Sequence, residues 1–191
     1  MKTKMALSKE QYAYIDESIL DTFEAAGIFS FPVNVFELCH KLKIRVMKYS
    51  DYPNELIDYS DDAYSFYNSK KREYVIVYND AIESARVNFT IMHELGHIQL
   101  GHEKRKLSDE EKEAEADTFA QKALAPVGVI LKLGLKTDVQ ISSVFHISLP
   151  CARVITTNLR FILKSPTIRL KEINSPITTL FEESINAYIN Q

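Results

Sequence analysis

Ala85-Arg86-Val87-Asn88-Phe89-Thr90-Ile91-Met92-His93-Glu94-Leu95-Gly96-His97-Ile98-Gln99-Leu100 decides the fold of this chain. Val87, Ile91, Leu95 and Ile98 recur at helical spacing and form one apolar stripe, which Phe89 and Met92 widen. The stretch therefore reads as a helix buried on more than one side. His93 and His97 lie roughly opposite the stripe. Residues four apart share a helix face, so both imidazoles can reach one Zn²⁺. Glu94, between them, stands where it can accept a proton from the attacking water. Such a helix packs on a sheet with one side and shows its histidines to a second element with the other. Gly96 costs about 1 kcal/mol of helix stability relative to alanine, and a close pass by another backbone is one use for it.

A catalytic zinc takes three protein ligands and leaves one position open, so a third ligand is expected downstream. Ser108-Asp109-Glu110-Glu111 is a capping box with an acidic first turn. The helix it starts runs through Lys112 to Leu124, and Pro126 ends it. Glu113, Ala116, Asp117, Ala120 and Leu124 share a face, placing two carboxylates among alanines small enough for two helices to approach. Glu113 and Asp117 together are expected to supply a metal ligand and a carboxylate receiving the second N–H of a ligand histidine. Glu115 is expected on a solvated acidic face. His102 falls off the ligand face of a straight helix and reads as structural. His40 and His146 read as surface or cap residues.

Working outward, Ser8 to Ala26 is an amphipathic helix with Tyr12, Ile15, Ile19, Phe23 and Ala26 on one face, ended by Gly27. Val33 to Leu42 is a second helix and Ile44 to Lys48 a strand. A turn at Tyr52-Pro53-Asn54 leads to a strand at Ala63 to Tyr67, a hairpin turn at Asn68 to Lys71, and a strand at Glu73 to Tyr78. Helices, a small sheet and two metal-bearing helices make an α+β fold. Ala63 to Tyr67 is the expected sheet edge, where a substrate could add as a strand. Beyond Pro126 the sequence predicts helices at Val127 to Leu133, Val139 to Phe145 and Cys151 to Leu163. A polar loop from 165 and a last helix, Ile177 to Ile189, follow. Asp138 to Ser148 resembles the first helix and turn of a helix-turn-helix. The next helix carries only Arg153, Arg160 and Lys164 as cations, so packing or protein docking is expected of it rather than DNA reading. The domain division predicted is 1–132 for the core and 133–191 for a helical extension packed on it.

The length of 191 residues suits one domain with an appendage. A net charge of −3 gives no sign of a nucleic-acid surface. Cys39 and Cys151, the only two cysteines, lie far apart and read as reduced, buried thiols, as in a cytoplasmic protein. The basic start Met1-Lys2-Thr3-Lys4 lacks the apolar run of a signal peptide, and no stretch of eighteen apolar residues occurs. Cytoplasmic residence is the expectation.

Arg86 to His102 resembles the R-x-x-F-T-x-x-H-E-L-G-H-x-x-L-x-H segment of the ImmA/IrrE family of metallopeptidases. Glu113 to Pro126 resembles that family's E-x-x-A-[ND]-x-F-A-x-x-L-L-x-P helix, and Phe31 to Val46 resembles its P-V-D-x-x-x-L-A-x-x-L-G-I-x-V stretch. The likeness covers roughly residues 30 to 150. Ala123 stands in place of the usual leucine and Lys43 in place of the usual glycine; neither touches the metal chemistry. The resemblance implies a zincin-like core, with His93, His97 and Glu113 as zinc ligands, Glu94 as general base and Asp117 as supporting carboxylate. It also implies a cellular role: many members cleave a helix-turn-helix repressor and lift repression of a mobile element or stress response. Tyr64, Tyr67 and Tyr78 are candidate donors to the oxyanion.

Two other functions compete. The protein could hold zinc without catalysis and inactivate a repressor by stoichiometric capture, or it could act as a regulatory partner in a two-gene module through its C-terminal helices. Both predict that Glu94→Gln is silent in cells, whereas a peptidase loses induction.

Overall fold

Ser8 opens the first helix with a reciprocal capping box: its hydroxyl accepts from the Gln11 amide, and the Gln11 side chain accepts from the Ser8 amide. The computed structural model describes residues 6–51 and 62–190. The expected turn at Tyr52-Pro53-Asn54 lies outside them. Helix α1 (Lys9–Ala26) ends on Gly27, whose φ of 63° is the left-handed conformation glycine adopts freely. Ile15, Ile19, Phe23 and Ala26 are buried, but Tyr12 is 44% exposed and lies beneath the Lys122 ammonium. Helix α2 (Val35–Lys41) starts later than Val33, because the Asn34 side chain caps it by accepting from the amides of Phe36 and Glu37.

Strands β1 (Arg45–Lys48), β2 (Ala63–Asn68) and β3 (Glu73–Tyr78) form one mixed sheet in the order β1-β3-β2. β1 runs parallel to β3 and β2 antiparallel to it, with Ser65 opposite Ile76 and Tyr67 opposite Tyr74. Alternation divides the faces. Ala63, Ile76 and Tyr78 join the main core, while Val75 and Val77 pack with Tyr49 in a separate cluster. Among the described residues β2 is an edge strand.

Helix α3 (Ser84–Gln99) packs on β2 and β3 and against helix α4 (Asp109–Leu124). Gly96 serves that second contact, though not by admitting a backbone. The Phe119 ring of α4 sits so close that a Cβ on residue 96 would meet its Cδ1 at 3.2 Å. Ser108 and Glu111 form the capping box that fixes where α4 begins.

Helices α5 (Val127–Lys132), α6 (Asp138–Phe145), α7 (Leu149–Leu163), α8 (Pro166–Ile173), α9 (Pro176–Leu180) and α10 (Glu182–Ile189) complete the chain. The C-terminus departs from expectation. In place of a polar loop and one helix there are three short helices, and α7 starts at Leu149 rather than Cys151. The cause is local: Ser148, Ser165 and Ser175 each cap a helix whose first turn contains proline. Proline in a first turn costs nothing, since its missing N–H has no partner there. Phe181, between α9 and α10, is fully buried with its ring on Phe23 and Phe31, which ties the last helices to the core.

Candidate metal centre

One turn of α3 separates His93 from His97, and their ring centroids lie 4.8 Å apart. Their Nε2 atoms are 3.0 Å apart. Glu113, in the second turn of α4, completes a triangle: Oε2 lies 3.4 Å from His93 Nε2 and Oε1 lies 3.4 Å from His97 Nε2. Among the described residues this is the one group of three or more metal-ligating side chains found together. Ligand atoms about 2.0–2.1 Å from a tetrahedral centre lie roughly 3.3–3.4 Å from one another. The two ring nitrogens and the two carboxylate oxygens thus approach one another at 3.0–3.4 Å, close to the spacing of ligands around a zinc ion, and two nitrogens and a carboxylate suit that ion.

Asp117 follows Glu113 by one turn and places Oδ1 3.1 Å from His93 Nδ1. A carboxylate accepts, so His93 donates from Nδ1, and Nε2 is the nitrogen that gives up its proton when a metal binds. Burial disfavours the charged form of His93, but the Asp117 and Glu113 carboxylates outweigh it and raise the ring to about 9. Its two histidine contacts, His93 first, draw Glu113 far below the ordinary carboxylate range.

Glu94 lines a cleft of about 640 Å³ together with His97, Glu113 and the edge-strand residues Tyr64 and Tyr67. Of the three candidate oxyanion donors, Tyr64 and Tyr67 border this cleft; Tyr78 is buried with its ring against Phe36 and does not. Tyr74, not singled out by the sequence, joins the lining and stacks edge-on with Tyr67 at 5.0 Å.

Residues 38–152 match the family model described as the IrrE N-terminal-like domain, a peptidase family. The chain belongs to that family. No curated protein sequence matches the chain. The IrrE N-terminal-like match takes in the sheet, α3 and α4, beginning within α2 and ending within α7; α1 and α8 to α10 lie outside it. No described helix is long and apolar enough to cross a membrane.

Glu115 is the clearest correction to the sequence reading. It is not solvated: its side chain is fully buried. Burial alone would raise its carboxyl, yet Arg105, His102 and Gln11 hold it below the ordinary range. A signal was present, for Glu115, Phe119 and Ala123 fall at i, i+4 and i+8, placing the carboxylate on an apolar stripe. His102 is buried too, and burial lowers its ring more than Glu115 raises it. It reaches the metal group because α3 has ended. Gly101, with φ of 65°, forms a Schellman turn in which the His102 amide donates to the His97 carbonyl and the Gly101 amide to that of Ile98. His40 is exposed, and exposed His146 caps α6 in the left-handed conformation.

Proposed function

We propose that this member of the IrrE N-terminal-like family is a zinc-dependent endopeptidase of zincin-like architecture. Its target would be a specific intracellular protein, a helix-turn-helix repressor in our reading, whose cleavage relieves repression of a mobile element or stress response. The convergence of both Glu113 oxygens on the paired Nε2 atoms of His93 and His97 supports it. Zinc held there would polarise the scissile carbonyl and acidify the attacking water. Glu94 takes that water's proton and returns it to the leaving nitrogen. Asp117 holds the proton on His93 Nδ1, so that Nε2 is the nitrogen that would meet the metal. Tyr67, across from Tyr74, is the donor we assign to the oxyanion. The substrate lies along the outer edge of β2, unpaired among the described residues, as an added strand, which brings a backbone carbonyl past Glu94. Residues 133–191 serve as a helical extension of the core at 1–132.

Glu94→Gln tests this directly. The variant and wild type should each bind one zinc per chain, and the variant should fail to cut a cognate helix-turn-helix repressor that wild type cuts. Undiminished cleavage by that variant would refute the assignment. Zinc binding with no cleavage by either protein would favour stoichiometric capture.

A further inference from the structure

We infer, taking His97 as the metal ligand proposed above, that Glu115 and His102, anchored by Arg105 and by Gln11 of α1, are positioning residues that fix which nitrogen of His97 carries the proton. Glu115 is fully buried and accepts four hydrogen bonds. Arg105 donates to both oxygens, Nη1 to Oε2 at 2.5 Å and Nη2 to Oε1 at 3.1 Å. Gln11 Nε2 donates to Oε1 at 2.9 Å, and His102 Nε2 approaches Oε2 at 3.0 Å. A carboxylate has about four lone-pair sites, so all are taken, and each partner must donate.

The consequence passes along the chain. His102 spends its N–H on Glu115, and Arg105 already balances that carboxylate's charge. A neutral His102 therefore offers a bare Nδ1. It lies 2.9 Å from His97 Nδ1, which must then be the donor. With its proton on Nδ1, His97 turns a bare Nε2 toward His93 Nε2 and Glu113. Asp117 holds the Nδ1 proton of His93 through a single contact. His97 is served by a two-residue path from a carboxylate further away.

Helix α1, outside the matched family span, takes part. Gln11 spends its oxygen on the Ser8 amide and its NH₂ on Glu115, so the capping box that starts α1 also orients the amide aimed at the buried carboxylate. Tyr14, one turn later, lies under the Arg105 guanidinium at 4.7 Å and donates its hydroxyl to the Leu100 carbonyl.

The test compares the full chain with His102→Leu, His102→Gln and Gln11→Ala. Glutamine can accept from His97 and donate to Glu115, so it reproduces the polarity of the path; leucine cannot. In side-chain ¹⁵N spectra of chelator-treated protein, His97 should carry its proton on Nδ1 in wild type and His102→Gln, and on a mixture of nitrogens in His102→Leu. Zinc affinity, measured by chelator competition, should fall roughly 10–100-fold in His102→Leu, and only a few-fold in His102→Gln and Gln11→Ala. A wild-type His97 protonated on Nε2, or a folded His102→Leu that binds zinc as wild type does, overturns the inference. If His102→Leu does not fold, the wild-type spectrum and Gln11→Ala decide it. Failure of wild type to bind zinc would instead overturn the metal site, and the tautomer measurement would still judge the path.

Discussion

Asp117 Oδ1 stands 3.1 Å from His93 Nδ1, on the side of the ring remote from the Nε2 that faces His97 and Glu113. The carboxylate orients the imidazole and raises its basicity without occupying a metal position. Asp117→Ala should lower zinc affinity by roughly 10–100-fold while leaving the helix content unchanged. Asp117→Asn retains an acceptor and should lose less. Chelator competition followed by circular dichroism checks both, and equal affinities for the two variants would count against this role.

Without its metal the site should make stability fall at high pH. His93 rises from 6.5 to about 9 in the folded chain. A raised value means that the stabilisation is complete below the unfolded value and disappears as pH climbs through the folded one. The whole effect is worth at most roughly 3 kcal/mol. Glu113, lowered from 4.5, holds its share above the ordinary carboxylate range and gives it up only in strong acid. Chelator-treated protein should therefore melt at a lower temperature at pH 9.5 than at pH 6. Equal midpoints would remove the predicted coupling.

How much of this was legible in the sequence depends on how local the signal is. Ser108 with Glu111, and His93 with His97, are short-range patterns with one geometric meaning, and the boundary of α4 and the pairing of the two rings follow from them. β3 shows as a run of β-branched and aromatic residues. What periodicity alone missed is long-range or ambiguous. Glu115 reads as one more acid in an acidic helix until Arg105 and Gln11 are seen to converge on it from other segments. Ser165-Pro166 and Ser175-Pro176 read equally as breaks or as helix starts, and the packing of Ile177 and Phe181 against the core is what selects helix. Tyr67 could not be preferred to Tyr78 before the structure buried the Tyr78 ring against Phe36, away from the cleft.

The two cysteines should differ in reactivity. Cys39 is fully buried, and burial pushes its thiol up to about 12, whereas Cys151 is only half-buried. The thiolate is the reactive form, so at pH 8 a disulfide-exchange reagent should label Cys151 first. Cys39 should be labelled only on unfolding. A native Cys151→Ser protein that still reacts quickly would contradict this burial.

Gly128 of α5 is where the C-terminal helices press hardest on the core. A Cβ there would lie 1.9 Å from Thr178 Oγ1 and 2.2 Å from the Glu172 carbonyl oxygen. The hydroxyl cannot simply rotate away, because Thr178 is buried and donates to that same carbonyl at 2.9 Å. The backbone of α8 must move instead. Gly128→Ala should therefore destabilise the protein despite alanine's better helix propensity, by roughly 1–3 kcal/mol or more, as overpacked sites do. The metal triangle is built from α3 and α4, so zinc stoichiometry should survive in folded Gly128→Ala. Thermal unfolding together with zinc content separates the two effects. A midpoint at or above that of wild type would show that α5 and α8 do not pack this closely in solution.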